Sequence, residues 1–155
     1  MLVDFRPGRV DEGDGADLIA AFAGEIAEIY DGLDIGAPGM PTAGPDDLGP
    51  PRGAFLVGYV DGRPVCCGGV KELPDGTCEI KRMYVVPEAR RQGVARALLH
   101  ALEAAARTRG FTVARMDTGP RQQHAQALYE AEGYAPIGNF NANPAASWWG
   151  EKSLG

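Results

Sequence analysis

Residues 83–99 read MYVVPEARRQGVARALL, and the arginines and small residues in this run are spaced to hold an anion. Arg90, Gly93 and Ala95 form Arg-x-x-Gly-x-Ala where a hydrophobic strand stops at Pro87 and a helix opens at Gly93. The first backbone N–H groups of a helix have no internal acceptor, and they carry the positive end of the helix dipole. Gly93 and Ala95 keep side chains out of the way, so the oxygens of a diphosphate can approach the main chain. Arg90, Arg91 and Arg96 add positive charge. Helix openings of this kind are anion cradles. The spacing is neither that of a Walker loop nor the dinucleotide GxGxxG. Taken alone, a Gly/Ala pair also suits tight helix–sheet packing, and the segment by itself leaves both readings open.

No other residue set offers chemistry by spacing. Cys66, Cys67 and Cys78 are odd in number and lack the spacing of a disulfide framework. Adjacent cysteines are poorly placed to bridge each other. His100 and His124 complete no zinc pattern, so no metal is expected. The three cysteines read as small, buried strand residues.

The elements that must position the cradle follow from periodicity and punctuation. Leu2–Phe5 reads as a short strand. Asp14 can cap a helix whose Leu18, Ile19, Phe22, Ile26, Ile29 and Tyr30 recur at helical spacing, with Gly32 as the stop. Residues 31–53, holding 6 Gly and 5 Pro, read as one long loop, and loops of that length in compact domains are functional or mobile. Ala54–Val60, Val65–Lys71 and Cys78–Val86 read as a meander, turned at Asp61-Gly62 and Pro74-Asp75-Gly76. A helix then runs to about Arg109 on a stripe of Val94, Leu98, Ala101, Leu102 and Ala105. The strand Phe111–Met116 lies parallel to its predecessor, because a helical crossover joins them. A helix over about Gln122–Glu132 turns Ala125, Leu128 and Tyr129 inward, and Tyr134–Ile137 with Ser147–Lys152 closes the sheet. The order β-α-β-β-β-α-β-α-β-β is that of an α/β (α+β) fold with a mixed sheet.

At this point the chain resembles the GNAT superfamily of N-acetyltransferases over nearly its whole length, most specifically over residues 79–134. EIKRMYVVPEARRQGVARALL resembles that family's acetyl-CoA motif, with its phosphate loop at 90–95, and LYEAEGY at 128–134 resembles its Leu-Tyr-x-x-x-Gly-[Phe/Tyr] motif. The resemblance implies a mostly antiparallel sheet of six to seven strands, helices on both faces and a splayed central strand pair. It implies acetyl-CoA as co-substrate, its pyrophosphate on Arg90, Arg91, Gln92, Gly93, Val94, Ala95 and Arg96. The pantetheine would lie along Met83, Tyr84 and Val85 like an added strand, with a bulge near Met83–Val85. An N–H near Tyr84 or Val85 would meet the developing oxyanion. Tyr129 matches the family's tyrosine that protonates the leaving thiolate. Glu79, eleven residues before Arg90, stands where some members carry a general base. Gln122 replaces the asparagine frequent in that family before the helix, which alters the reach of one cofactor contact.

Composition bounds the partners. The 155 residues suit one domain, 1–155, with an ordinary 45% hydrophobic fraction. No run of 18 apolar residues occurs, and the N-terminal segment lacks a signal peptide's basic and apolar regions, so no membrane association and a cytoplasmic location are expected. The net charge of −6 divides into a local +5 over residues 79–121 and −11 elsewhere. An acidic whole argues against nucleic acid, and a basic segment inside it suits one anionic ligand. The acceptor would be a small-molecule or peptide amine, with a cationic one favoured by Asp34, Asp46 and Asp47 and an aromatic wall supplied by Trp148 and Trp149. Polyamines, aminoglycoside-like molecules, amino acids and protein amines all stay open, as does a homodimer. No cysteine matches a position for a covalent intermediate, so transfer would be direct. The alternative is a non-catalytic acyl-CoA-binding sensor or partner-binding module, which would need neither Tyr129 nor Glu79.

Overall fold

The computed structural model describes residues 2–155. Its elements are β1 (Asp4–Pro7), α1 (Gly13–Ile29), β2 (Ala54–Val60), β3 (Arg63–Glu72), β4 (Thr77–Val85), α2 (Val94–Thr108), β5 (Val113–Thr118), α3 (Gln123–Ala131), β6 (Ala135–Pro136) and β7 (Trp148–Ser153), with a 3-10 turn at Pro87–Ala89 between β4 and α2. The seven strands form one sheet in the order β1-β2-β3-β4-β5-β7-β6. Only β4 and β5 pair in parallel, joined by the α2 crossover. No helix among the described residues is long and apolar enough to cross a membrane.

Two layers cover the sheet. On one face α2 buries Val94, Leu98, Leu99, Leu102 and Ala106 against Val70, Cys78 and Ile80. On the other, Leu18 of α1 and Leu48 of the long loop pack with Phe55, Val57, Cys67 and Tyr84. Gly68 and Gly69 of β3 let both layers close. A Cβ on Gly68 would come within 2.6 Å of Leu102, and one on Gly69 within 2.8 Å of Leu48. Leu48 is 1% exposed, and it pins a loop otherwise made of Gly, Pro and polar residues. Leu48→Ala is therefore expected to destabilise the protein by about 2–5 kcal/mol, read as a lower urea midpoint at unchanged slope.

Most expected element boundaries agree with these within two residues. One expectation is corrected: Asp14 is not the N-cap of α1. Glu12 holds that position, without a side-chain capping bond, while Asp14 sits in the first turn and accepts the Tyr59 hydroxyl (2.6 Å). The strand expected over 134–137 reduces to Ala135–Pro136, and the Ile137 N–H still donates to the Trp149 carbonyl (2.9 Å).

The sheet does not stay closed along β4. Pairing with β5 holds for Thr77, Cys78 and Glu79 and stops there. On the β3 side, Cys67 faces Tyr84 and Gly69 faces Lys81, so two residues, Arg82 and Met83, oppose Gly68 alone. That is a β-bulge, with Arg82 in the left-handed region (φ 59°). It overlaps the expected Met83–Val85 position at Met83 and lies one residue earlier.

Candidate active site

The approach to α2 is built from donors. Arg91 (φ 64°) and Gly93 (φ 79°) are both left-handed. The kinked backbone this makes is the concave arrangement of amides that suits anions. Among the described residues, the N–H groups of Arg91, Gln92, Gly93, Val94, Ala95 and Arg96 meet no protein acceptor; the first intrahelical bond is Ala97 N–H to the Gly93 carbonyl (3.1 Å). A Cβ on Gly93 would meet nothing within 4 Å. Glycine is thus required there for its φ, and the space in front of the amides is open.

The three arginines differ in their tasks. Arg90 Nε donates to the Val85 carbonyl (2.9 Å) and its Nη2 to Glu25 Oε1 of α1 (2.6 Å), with the guanidinium 5.7 Å from the Tyr84 ring centroid. It fastens the loop to β4 and α1. Arg96 Nε donates to Glu132 Oε2 (2.9 Å), and the same carboxylate receives His100. Arg91 has no side-chain partner among the described residues and is the one uncommitted charge at the cradle. Gln92 Nε2 donates to the Glu88 carbonyl (3.3 Å). Val94 is 2% exposed and anchors the helix start in the core.

Below the cradle the splayed half of β4 offers its main chain. Val86 N–H donates to the Val65 carbonyl (2.9 Å), and the register continues as Cys66 with Val85 and Cys67 with Tyr84. Bonded and non-bonded pairs alternate along an antiparallel ladder. Tyr84 is therefore tied to Cys67, while Val85 turns its N–H away from β3. The direction agrees with Arg90 reaching the Val85 carbonyl from outside the ladder. Of the two oxyanion donors expected from sequence, Val85 faces the opening and Tyr84 does not.

At the foot of this seam lies a cavity of about 110 Å³. Phe22, Ile26, Leu33, Ile35 and Met40 give it an apolar wall, and Lys81, Arg82, Asp117, Gln122 and Tyr129 give it polar groups. Tyr129 is 8% exposed and stacks on Trp148, with centroids 6.3 Å apart. Its hydroxyl meets only Met83 Sδ, at 3.9 Å. Burial first, and the Asp117 carboxylate second, hold that hydroxyl above the ordinary tyrosine range. It stays a neutral donor through alkaline pH. Gln122 Oε1 accepts the Tyr30 hydroxyl (3.0 Å) and the Gly119 N–H (3.4 Å), which fixes the start of α3.

Glu79 lies behind this wall. It is 2% exposed, and its Oε2 accepts Lys81 Nζ (3.0 Å) and Asn141 Nδ2 (2.9 Å). The Asn141 amide also donates to Asp117 Oδ2 (2.6 Å), and Asn143 Nδ2 reaches the same oxygen (3.0 Å). Asp117 is the carboxylate that lines the cavity, and Glu79 is connected to it through one amide. Sequence reasoning missed Asp117. Its signal was its place at the C-terminal end of the parallel strand β5, where open parallel sheets expose their ligand sites.

Other expected acceptor contacts are not brought together. Asp34 accepts the Gly36 N–H and Asp47 the Gly44 N–H; both shape the loop, which gives the cavity Leu33, Ile35 and Met40 instead. Trp148 is buried under Tyr129, and Trp149 Nε1 donates to Asn141 Oδ1 (3.0 Å); neither lines the cavity. The cysteines are buried and free. Burial pushes the Cys66 thiol up to about 11, and those of Cys67 and Cys78 up to about 12. No group of three or more His, Cys, Asp or Glu that could hold a metal occurs among the described residues.

The chain is similar to known proteins over most of its length. The family model described as "Acetyltransferase (GNAT) family" matches residues 26–134. An IAA acetyltransferase of Azospirillum brasilense is 36% identical over 101 residues, covering 63% of this chain and 66% of that protein. Human N-acetyltransferase 8 is 34% identical over 89 residues, covering 54% of this chain and 39% of that protein. The chain thus spans less than two thirds of the length of these curated relatives. Among solved structures, a candidate acyl-CoA N-acyltransferase of Klebsiella pneumoniae superposes with a TM-score of 0.78 at 29% identity, covering 99% of this chain and 98% of that one. The PaiA N-acetyltransferase of Thermoplasma acidophilum, in complex with coenzyme A, shares the fold with a TM-score of 0.70 at 14% identity, covering 99% of each chain.

Proposed function

The chain belongs to the GNAT family of acetyltransferases, and from that premise we propose that it moves an acetyl group from acetyl-CoA to a primary amine by direct transfer in a ternary complex. One observation carries the reading. The unsatisfied amides from Arg91 to Arg96 continue into the open edge of β4, and the line they draw ends at the Tyr129 hydroxyl. A diphosphate suits the first part, an amide-bearing arm the second and a thioester the end. The relative bound to coenzyme A supports an acyl-CoA as the donor.

In this reading Val94 and Ala95 present the helix-start amides, Gly93 leaves the room, and Arg91 supplies charge; Arg90, Gln92 and Arg96 hold the loop in shape. Val85 and Met83 offer main-chain hydrogen bonds to the arm, and the thioester oxygen takes an N–H of this edge as it becomes an oxyanion. Tyr84 supports them from within the ladder, and Gln122 fixes the mouth through Tyr30. The amine must be neutral to attack. Asp117 is the carboxylate positioned to take its proton, directly or through water, and Glu79 acts at one remove by orienting Asn141 and so Asp117. The C–N bond forms, the C–S bond breaks, and the sulfur receives the Tyr129 proton. Tyr129 recovers a proton from the amine side, so that one N–H proton ends on sulfur overall.

The test is a screen of primary amines that follows free CoA, paired with thermal unfolding with and without acetyl-CoA. Acceptor-dependent CoA release is the expected result. Stabilisation by acetyl-CoA without release from any acceptor would instead mark a binding module. Direct transfer carries its own check. At pH 8 the native protein is expected to leave a disulfide reagent such as DTNB unconsumed, and to expose three thiols only when unfolded. A thiol that reacts fast in the native state and is shielded by acetyl-CoA would argue for an acyl-cysteine.

A further inference from the structure

The polar groups of the cavity are not equivalent, and the exception is Arg82. Lys81, its neighbour in sequence, is buried and spent on Glu79. Asp117 gives one oxygen, Oδ2, to Asn141 and Asn143. Arg82 lines the same cavity; its guanidinium has neither a carboxylate within salt-bridge distance nor a side-chain hydrogen bond among the described residues, and the carboxylates that act on its charge from farther off are Asp117 and Glu79. It is also the residue at the β4 bulge, with a left-handed backbone that arginine does not favour. Bulges re-aim side chains next to active sites, and backbone strain is retained at such places when surrounding structure enforces it. Here the strained residue brings a cation to the wall of that cavity and leaves it without a salt-bridge partner.

The charges in the cavity set the ligand class. Lys81 and Glu79 cancel each other. What remains is one cation, Arg82, and one anion, Asp117, opposite the apolar wall of Phe22, Ile26, Leu33, Ile35 and Met40. A polyamine would find a single carboxylate and a repelling guanidinium. A ligand bearing an ammonium, a carboxylate and a short apolar body would match all three surfaces. The planar guanidinium fork binds carboxylates in two-pronged fashion.

We propose that the acceptor is a small aminocarboxylate with an apolar side chain, such as an apolar α-amino acid, whose carboxylate is bound by Arg82, whose amine is turned toward Asp117 and the thioester, and whose side chain lies on the Phe22–Ile26–Met40 wall. The proposal rests on the acetyl-transfer reading and narrows its acceptor.

The experiment follows free CoA with leucine, methionine and phenylalanine, each against its amide and its decarboxylated amine, and with spermidine. Amides are the more demanding controls, since an α-amide has more neutral amine at a given pH than its parent amino acid. The expected result is a kcat/KM for the amino acids at least about a hundredfold above that for the amides and simple amines, a floor set below the roughly 10⁴–10⁵ by which a site built for a polar group rejects ligands lacking it. Arg82→Gln is expected to raise KM for the amino acids and to erase that preference, so that an amino acid and its amide are turned over alike. Arg82→Lys is expected to restore part of it. Equal or better turnover of the amides, the simple amines or spermidine by the unaltered protein overturns the aminocarboxylate and leaves acetyl transfer standing. A carboxylate preference that persists in Arg82→Gln overturns the assignment to Arg82. Absence of CoA release from every acceptor overturns the transfer reading itself. The comparison of acceptors on the unaltered protein does not depend on how the variants fold, and acetyl-CoA-induced stabilisation of each variant reports that its donor site is intact.

Discussion

Tyr129→Phe lowers kcat by about a hundredfold, the scale of a positioned general acid, and leaves the half-saturating concentration of acetyl-CoA within about twofold. The substitution is clean because the ring has work that the hydroxyl does not share. It stacks on Trp148 and meets Tyr134 edge-on, with centroids 6.3 and 6.2 Å apart. The hydroxyl has only a weak contact with Met83 Sδ. Phenylalanine keeps the packing and loses the donor. Stability is expected to change by less than about 1 kcal/mol, so lost turnover cannot be blamed on unfolding. The pH profile gives a second reading. A hydroxyl held above the ordinary tyrosine range keeps its proton as pH rises, so the unaltered protein should not lose activity through Tyr129 at mildly alkaline pH. Turnover by Tyr129→Phe equal to that of the unaltered protein would remove Tyr129 as the acid.

Gly93→Glu should abolish stabilisation by acetyl-CoA. A ligand at about one hundred times its Kd stabilises the folded state by about 2.7 kcal/mol, which for a chain of 155 residues corresponds to roughly 5–10 °C in Tm. The variant acts at the amides themselves. Its Cβ enters open space, so nothing inside the protein is displaced. Its carboxylate then stands before unsatisfied N–H groups and repels the diphosphate that would take them. A non-glycine residue at φ 79° also costs roughly 1–2 kcal/mol. Gly93→Ala isolates that cost, and it should keep part of the ligand-induced shift. A full shift in Gly93→Glu would mean that the diphosphate binds elsewhere.

Legibility of the fold varied with the range of the interactions. Strands, helices and turns are local matters, and alternation, helical stripes and Asp-Gly turns placed them well. The cradle was readable for the same reason: its donors are consecutive residues at a helix start. The cavity was not, because it is assembled across the chain. Asn141 joins Glu79 and Asp117 over separations of 62 and 24 residues, and no spacing rule anticipates that. Arg90 and Arg96 read as phosphate charges because sequence shows their sign but not their partners, Glu25 and Glu132. Asp34 and Asp47 likewise accept loop amides, Gly36 and Gly44, that charge counting does not show. Arg82 did leave a trace. Two adjacent cations, Lys81 and Arg82, break the alternation that Cys78 and Ile80 establish, and such a break marks a bulge.

The seam between β4 and β5 bears on how the chain behaves when nothing fills it. Exposed strand edges are adhesive, and proteins generally blunt them with charge, proline or cover. Here the bare backbone from Ile80 to Val85 sits inside the sheet, between strands that stay joined through Glu79. An unpaired edge placed there is flanked by the sheet's own strands and not laid along its rim, which is the kind of cover that blunts adhesive edges.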